Sequence, residues 1–203
     1  ISDGIGATEM LHTFIAGADD VIRPGATGKA IPGFEATVLD DDGNEAAPGS
    51  VGRLAVRGPT GCRYMNNPER QAAYVRDGWN LTGDAYIRDE DGYFWYQART
   101  DDMIISAGYN ISGPEIESVL LEHPAVAECA VIGAPDPQRG QIVKAVVVLR
   151  DPGRAGQALV EELQAHVKAT IAPYKYPRAV TFTDDLPRTQ TGKVQRFVLR
   201  QRE

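Results

Sequence analysis

The segment from Gly4 to Glu9 combines glycines with a hydroxyl and a carboxylate, and reads GIGATE. Glycines let a phosphate or acyl group approach the backbone, the hydroxyl of Thr8 can bond a phosphate oxygen, and the carboxylate of Glu9 can hold Mg²⁺. A dinucleotide-binding fingerprint is excluded, because Glu9 stands where the third glycine is required. An ordinary glycine turn is the alternative interpretation.

A lysine follows a glycine in a second segment, Thr189–Lys193, which reads TQTGK. It resembles the end of a phosphate-binding P-loop, but position 187 is Pro rather than Gly, and Val194 stands in place of Ser or Thr. A P-loop is therefore excluded. What remains is a lysine on a turn, which can reach negative charge developing at a phosphate or a carboxylate. A solvated surface lysine is the alternative.

Two further segments contain acidic residues and an arginine that could bind a ligand. Trp79–Asp84 ends in a carboxylate beside a glycine, and Arg99–Ile105 places an arginine and two acids before a predicted strand. One carboxylate and one guanidinium can grip a ribose diol, because the acid accepts both hydroxyl protons while the arginine donates. A turn aspartate or a surface ion pair is the alternative for each.

The elements that must position these residues are β-strands in the first half of the chain. Alternating apolar residues predict strands at 34–39 and 53–57, and the aromatic run at 93–96 predicts a third. A helix is predicted to begin at Pro68, with Asn67 as its N-cap.

The second half mixes helices and strands. A capping-box pattern at 112–115 opens one predicted helix, and Leu159, Leu163 and Val167 mark the buried face of another. Strands are predicted at 127–132, 143–149 and 179–182, and a short helix follows the basic segment at 188–202. This order predicts a small α+β domain of about one hundred residues with its own core.

Composition limits the function classes. The net charge of −7 argues against nucleic acid or an anionic membrane as the main partner. The two cysteines, Cys62 and Cys129, form no C-x-x-C pair, which argues against a disulfide framework and favours the cytoplasm. The longest apolar run, Ala145–Leu149, is far too short to span a membrane, and no signal peptide is recognisable.

Seven segments, in this order, resemble the motifs of the adenylate-forming superfamily, which includes acyl-CoA synthetases, peptide-synthetase adenylation domains and beetle luciferases. They are Gly6–Glu9 (G-x-T-E), Gly52–Gly58 (G-E-L-x-x-x-G with Arg for Glu), Thr82–Asp84 (T-G-D), Ala98–Asp102 (G-R-x-D-D with Ala for Gly), Gly108–Glu117 (G-x-x-I-x-x-x-E-I-E), Tyr174–Pro177 (Y-K-x-P) and Pro187–Arg196 (P-x-T-x-x-G-K-x-x-R). Each motif alone is weak, and their order carries the resemblance.

The resemblance implies a two-step reaction, in which an acid and ATP give an acyl-adenylate and pyrophosphate, and the thiol of CoA then displaces AMP. Thr8 would bond the α-phosphate, and Glu9 would hold Mg²⁺. Asp84 would bind both ribose hydroxyls with help from Arg99. Lys193 would bridge the carboxylate and the phosphate in the adenylating transition state.

The resemblance also implies a conformational change between the two steps. Asp101 would be the hinge of a small domain whose rotation withdraws Lys193 and brings in the turn Ser106–Tyr109. Gly108, which has no side chain, would leave room for the pantetheine arm of CoA. Asn110 departs from those relatives that carry an arginine there, which puts that contact in doubt.

Within the superfamily, the run from Asp3 to His12 is most similar to benzoate and 2-aminobenzoate CoA ligases, as is the run 106–111. The acid would lie against the backbone of Gly4 and Gly6. His12 is interpreted as a plain polar residue rather than a catalytic one.

The implied fold is α+β. Residues 1–100 would be the C-terminal end of the large AMP-binding domain, including a distorted β-barrel, and residues 101–203 the mobile cap that carries Lys193. We expect this chain to be a fragment whose partner is the N-terminal part of the same protein. No Ser/Thr/Gly-rich phosphate loop is present in the sequence, so we expect no adenylation by these residues alone.

Two rival functions remain open. A carrier-protein-loading adenylation enzyme would share the first half-reaction and use a phosphopantetheinyl protein as acceptor. A non-catalytic cap or assembly module would need none of Lys193, Asp84 and Arg99.

Overall fold

The structure is a computed structural model, and it describes residues 2–18 and 22–203 of the chain. The chain divides into two compact units, the first ending at Asp101 and the second beginning at Asp102. Each unit has a hydrophobic core of its own. That the first unit is the end of a large domain and the second a mobile cap stays a prediction.

The first unit consists of antiparallel strands and one helix. The strands are β1 (Gly4–Ala7), β2 (His12–Ala16), β3 (Lys29–Ala30), β4 (Glu35–Leu39), β5 (Val51–Arg57), β6 (Val75–Arg76), β7 (Trp79–Arg88) and β8 (Phe94–Arg99), and the helix is α1 (Pro68–Tyr74). β1, β2 and β3 form one sheet; β4, β5 and β7 form another, in which β7 also pairs with β6 and β8. Among the described residues neither sheet closes on itself. Where a distorted β-barrel was expected, the structure therefore shows two open sheets.

The two sheets of the first unit share a core. Phe14 of β2 is buried with Leu54 and Val56 of β5, and with Tyr86 of β7. Helix α1 begins as predicted, since the side chain of Asn67 accepts a hydrogen bond from the Arg70 amide at 3.0 Å. Strands β7 and β8 of this unit carry Asp84 and Arg99, two of the candidate site residues.

The second unit is one mixed sheet with helices on both faces. The strands are β9 (Ile104–Ser106), β10 (Tyr109–Ile111), β11 (Val126–Asp136), β12 (Gly140–Leu149) and β13 (Ala179–Phe182), and the helices are α2 (Gly113–Leu121), α3 (Gln157–Thr170) and α4 (Arg196–Arg200). The strand order is β10-β9-β12-β11. Strand β13 pairs with β12 and runs parallel to it.

Both faces of β11 and β12 are buried, and successive residues face opposite sides. Val131 and Ala145 join the core formed with α2 and α3. Ile132 and Val146 instead join a smaller cluster that contains Leu199 of α4. This double burial explains why the sequence of these strands is apolar almost without alternation.

Helices α2 and α3 follow the predicted patterns. The hydroxyl of Ser112 accepts a hydrogen bond from the Glu115 amide at 3.4 Å, which caps the start of α2. Leu159, Leu163 and Val167 form the buried stripe of α3. In the described ranges, 2–18 and 22–203, no helix has the length and apolarity that a membrane crossing requires.

Candidate functional site

The glycine-rich segment forms β1 and a tight turn. Thr8 begins a short 3-10 helix, and the Leu11 amide donates to the carbonyl of Thr8 at 3.2 Å. A Cβ atom on Gly6 would lie 2.8 Å from the His12 carbonyl, and one on Gly4 would lie 3.1 Å from the Ile15 carbonyl. The close approach of β2 therefore accounts for glycine at both positions, and their predicted contact with the acid stays a prediction.

The carboxylate of Glu9 has a hydrogen-bond partner that the sequence analysis missed. The hydroxyl of Tyr64 donates to Oε1 of Glu9 at 2.7 Å. This bond lowers the pKa of Glu9, and the positive charges of Arg70 and Arg99 act in the same direction. Glu9 is therefore held as an anion, which is the form that a metal ion binds.

The two residues that are predicted to grip a ribose diol, Asp84 and Arg99, lie close together within the first unit. Asp84 and Arg99 lie opposite each other on β7 and β8, and Nη1 of Arg99 lies 3.0 Å from Oδ1 of Asp84. The Asp84 amide donates to the hydroxyl of Thr82 at 3.2 Å, and Nη1 of Arg99 also contacts the Thr82 carbonyl at 3.3 Å. The carboxylate is nearly buried, whereas the arginine is half exposed.

Gly83 makes room for this arginine. Its φ is +77°, and a Cβ atom there would lie 2.7 Å from Nη2 of Arg99. The left-handed backbone and the missing side chain together let the guanidinium lie across the T-G-D turn. The structure thus gives a physical reason for the glycine of that motif.

Asp101 ends the first unit, in a short 3-10 helix formed by Thr100–Asp102. Its side chain is exposed, and its Oδ1 lies 3.9 Å from Nε of Arg99, which is a loose ion contact. The neighbouring Asp102 is tied instead to Arg200 of α4, within the second unit. The boundary between the two compact units falls here, and the role of Asp101 as a hinge stays a prediction.

The turn that contains Gly108 joins β9 to β10. Ala107 and Gly108 have φ values of 50° and 82°, as the central residues of a type I′ hairpin turn require. A Cβ atom on Gly108 would meet nothing within 4 Å. The ring of Tyr109 stacks on the ring of Tyr174, with centroids 4.7 Å apart. Open space beside Gly108 is compatible with its predicted contact with pantetheine.

Lys193 lies at the end of a small hairpin, residues 187–196, which we call the lysine hairpin. The Gly192 amide donates to the Thr189 carbonyl at 2.9 Å, and the Thr189 amide donates to the Lys193 carbonyl at 2.8 Å. Gly192 has a φ of +84°, as a turn with a glycine bulge requires. In the part of the chain that the structure describes, the exposed Nζ of Lys193 contacts no carboxylate. The lysine is therefore available for an anion.

The candidate residues are divided between the two units. Thr8, Glu9, Asp84 and Arg99 lie in the first unit, whereas Gly108 and Lys193 lie in the second. Within residues 2–18 and 22–203, no three His, Cys, Asp or Glu side chains converge on a metal position. Glu9 as a single anionic carboxylate suits Mg²⁺, which binds through one or two carboxylates together with substrate phosphates.

The sequence analysis also did not predict two ion pairs between residues of the motifs. Arg196 forms a fork with Glu117, and Lys175 contacts both carboxylate oxygens of Glu115 at 2.6 and 2.7 Å. All four residues lie inside the quoted motifs, and the sequence analysis gave none of them a role. A charged motif residue without a chemical role was therefore the signal that could have pointed to these ion pairs.

Comparison with known proteins agrees with this fold. The model of the AMP-binding enzyme C-terminal domain matches residues 115–193. The benzoate–CoA ligase of Thauera aromatica is 45% identical over 98% of this chain and 38% of its own length. The mitochondrial acyl-coenzyme A synthetase ACSM4 of Mus musculus is 43% identical over 99% of this chain and 36% of its own length.

Solved structures show the same likeness. The anthranilate CoA ligase AuaEII, in complex with anthranoyl-AMP, has a TM-score of 0.86 and 41% identity over 99% of this chain and 39% of its own. The chain thus spans less than two fifths of the length of the curated relatives. It belongs to the adenylate-forming superfamily of acyl-CoA synthetases and corresponds to the C-terminal part of its members.

Proposed function

We propose that the chain is part of an acid–CoA ligase that converts an acid and ATP to an acyl-adenylate and pyrophosphate. The CoA sulfur then bonds the acyl carbon, AMP leaves, and the thiol proton passes to solvent. The observation that supports this most directly is the pair of Asp84 and Arg99. They present an acceptor and a donor side by side at 3.0 Å, as recognition of a ribose diol requires.

The nucleotide phosphates would be bound at the turn that follows β1. Thr8 is exposed there, and its hydroxyl is proposed to bond the α-phosphate. Glu9, whose pKa is lowered by the hydrogen bond from Tyr64, would hold Mg²⁺. The bound ion would neutralise charge on the pyrophosphate as it leaves.

Lys193 would stabilise the transition state of adenylate formation. Its ammonium group is exposed and sits on a turn whose backbone is hydrogen-bonded on both sides. A cation placed between the attacking carboxylate and the α-phosphate lowers the barrier where negative charge develops. Asp101 would be the hinge between the half-reactions, and Gly108 would leave room for the pantetheine arm of CoA.

An aromatic acid such as benzoate or 2-aminobenzoate is the proposed substrate. Relatives named for both acids align with nearly the whole chain, and Gly4 and Gly6 present a backbone without side chains on β1. The mouse relative carries a different name, so the acid needs a direct assay. The N-terminal part of the same protein would supply the rest of the acid pocket.

We place the enzyme in the cytoplasm, because Cys62 and Cys129 are both free.

The test is thioester formation by the full-length protein with ATP, Mg²⁺ and CoA. The acids are benzoate, 2-aminobenzoate, acetate and a medium-chain fatty acid. We expect turnover of an aryl acid, and Lys193→Ala to lower adenylate formation about 10²–10³-fold because one transition-state contact is lost. The variant should still convert preformed benzoyl-AMP to benzoyl-CoA. Turnover of no acid, or turnover that does not respond to Lys193→Ala, would contradict the proposal.

A further inference from the structure

The lysine hairpin is attached to the rest of the second unit by an arginine at each end. Before the turn, Nη2 of Arg188 lies 2.5 Å from Oε2 of Glu128 on β11, and Nη1 donates to the Gly192 carbonyl at 2.6 Å. After the turn, Nη2 of Arg196 lies 2.6 and 2.8 Å from the two carboxylate oxygens of Glu117 on α2. Nε of Arg196 also donates to Oε1 of Glu117, at 3.1 Å.

These two attachments differ in burial. The side chains of Arg188 and Glu128 are 42% and 47% exposed, so solvent screens that pair. The side chains of Arg196 and Glu117 are only 23% and 13% exposed. The second pair is also forked, and a planar guanidinium held by two or three hydrogen bonds has a fixed orientation. The anchor at Arg196 is therefore the stiffer one.

Glu117 in turn is held by the sheet. Its Oε1 accepts a hydrogen bond from the Val131 amide of β11 at 2.8 Å. One carboxylate thus joins helix α2, strand β11 and the first residue of α4. Arg196 follows Lys193 by three residues, and the Gln195 amide between them donates to the Pro187 carbonyl at 2.8 Å. The rigid part of the unit therefore reaches to within one turn of the lysine.

We propose that Glu117 and Arg196 are positioning residues for Lys193. This rests on the proposed role of Lys193 in adenylate formation. Lysine has a long, flexible side chain, and a displacement of about 1 Å at a reacting group can cost 10²-fold in rate. The Glu117–Arg196 pair fixes the backbone from which the ammonium group extends. In this proposal neither residue binds substrate.

The expected signature is a loss confined to one half-reaction. In the full-length protein, Arg196→Met and Glu117→Gln lower kcat for benzoyl-AMP formation by about 10- to 100-fold. KM for benzoate and ATP changes little, and the rate of thioester formation from preformed benzoyl-AMP and CoA stays within about twofold. Arg196→Lys, which keeps the charge but loses the fork, gives an intermediate loss.

The matched control is Lys144→Met. Lys144 contacts both oxygens of Glu203 at 2.7 Å, and these side chains are 17% and 18% exposed, much like the proposed pair. This pair does not involve the lysine hairpin, so the variant should leave both half-reactions unchanged. An equal loss in Lys144→Met, or a parallel loss of both half-reactions in Arg196→Met, would mean general destabilisation and overturn the proposal.

A double variant asks whether Arg196 acts through Lys193. If it does, adding Arg196→Met to Lys193→Ala costs no further activity in adenylate formation. A full additional loss in that background would refute the positioning role.

Amide hydrogen exchange in the full-length protein gives a readout that is independent of activity. Arg196→Met should speed exchange at Gly192 and Thr189, whose amides are bonded within the hairpin, and Lys144→Met should not. If no acid is turned over, the proposed function fails, but this measurement still decides whether Arg196 orders the hairpin. Unchanged exchange in Arg196→Met would overturn the positioning role even in an active enzyme.

Discussion

At the scale of single residues, the structure adds partners that no local pattern contains. Tyr64 and Glu9 are 55 positions apart, and Arg196 and Glu117 are 79 apart. Sequence predicted Glu9 as a candidate from its neighbours in the glycine-rich segment, but the tyrosine that bonds it lies in the loop between β5 and α1. Asp84 and Arg99 were predicted to act together; they lie opposite each other on β7 and β8, and their joint role stays a prediction.

The pKa of Glu9 is expected to depend on the hydroxyl of Tyr64. That hydrogen bond is the largest cause that lowers the Glu9 pKa, so Tyr64→Phe should raise it towards its ordinary value. Because the folded-state pKa is depressed, this bond contributes stability above the ordinary pKa, and the contribution is lost as pH falls through the folded value. Tyr64→Phe should therefore lose stability near neutral pH and little at strongly acidic pH.

The measurement is an NMR titration of the Glu9 carboxyl carbon in both proteins. Tyr74→Phe is the matched control, since Tyr74 packs edge-on against Tyr64 with ring centroids 5.7 Å apart. Its buried hydroxyl has no hydrogen-bond partner among the described residues, so its removal should leave the Glu9 titration in place. An unchanged Glu9 pKa in Tyr64→Phe would show that this hydrogen bond does not control the carboxylate.

At the scale of elements, the sequence predicted helices better than strand lengths. Strands predicted at 127–132 and 143–149 extend to Val126–Asp136 and Gly140–Leu149. By residue type alone Gly133 and Pro135 would be expected to end a strand, yet the pairing of β11 with β12 continues through both. A Cβ atom on Gly133 would lie 2.5 Å from Oε1 of Gln141, so the glycine admits a cross-strand side chain. Such a reason is visible only once the strands are paired.

Helix α3 depends on its buried stripe. Leu163 is fully buried between the helix and the sheet, so Leu163→Ala should lower the free energy of unfolding by about 2–5 kcal/mol through lost burial and a cavity. Leu121→Ala at the end of α2 removes the same atoms from a side chain that is 48% exposed, and should cost less than about 1 kcal/mol. Urea unfolding of the full-length protein measures both. Equal losses would contradict the assigned packing.

At the scale of the whole molecule, the chain is expected to be unable to adenylate an acid alone. It spans 38% of the benzoate–CoA ligase relative, and no Ser/Thr/Gly-rich phosphate loop occurs in its sequence. The nucleotide phosphates and the acid would therefore lack most of their binding groups. Pyrophosphate release by the purified 203 residues with benzoate, ATP and Mg²⁺ should stay at the level without acid.

Full-length protein at the same concentration is the positive control for that assay. Addition of a separately made N-terminal part should restore release, if the two parts assemble. Acid-dependent release by the chain alone would contradict the expectation. It would also remove the reason for assigning the rest of the acid pocket to the N-terminal part.

The boundary at Asp101 and Asp102 has a consequence for protein engineering. Each described sheet lies within one unit, and both faces of the second sheet are covered by helices of the same unit. A gene fusion joined between these two aspartates would thus cut no strand pairing and open neither core. We therefore expect that relatives with different acid preferences could be recombined at this point without loss of either fold.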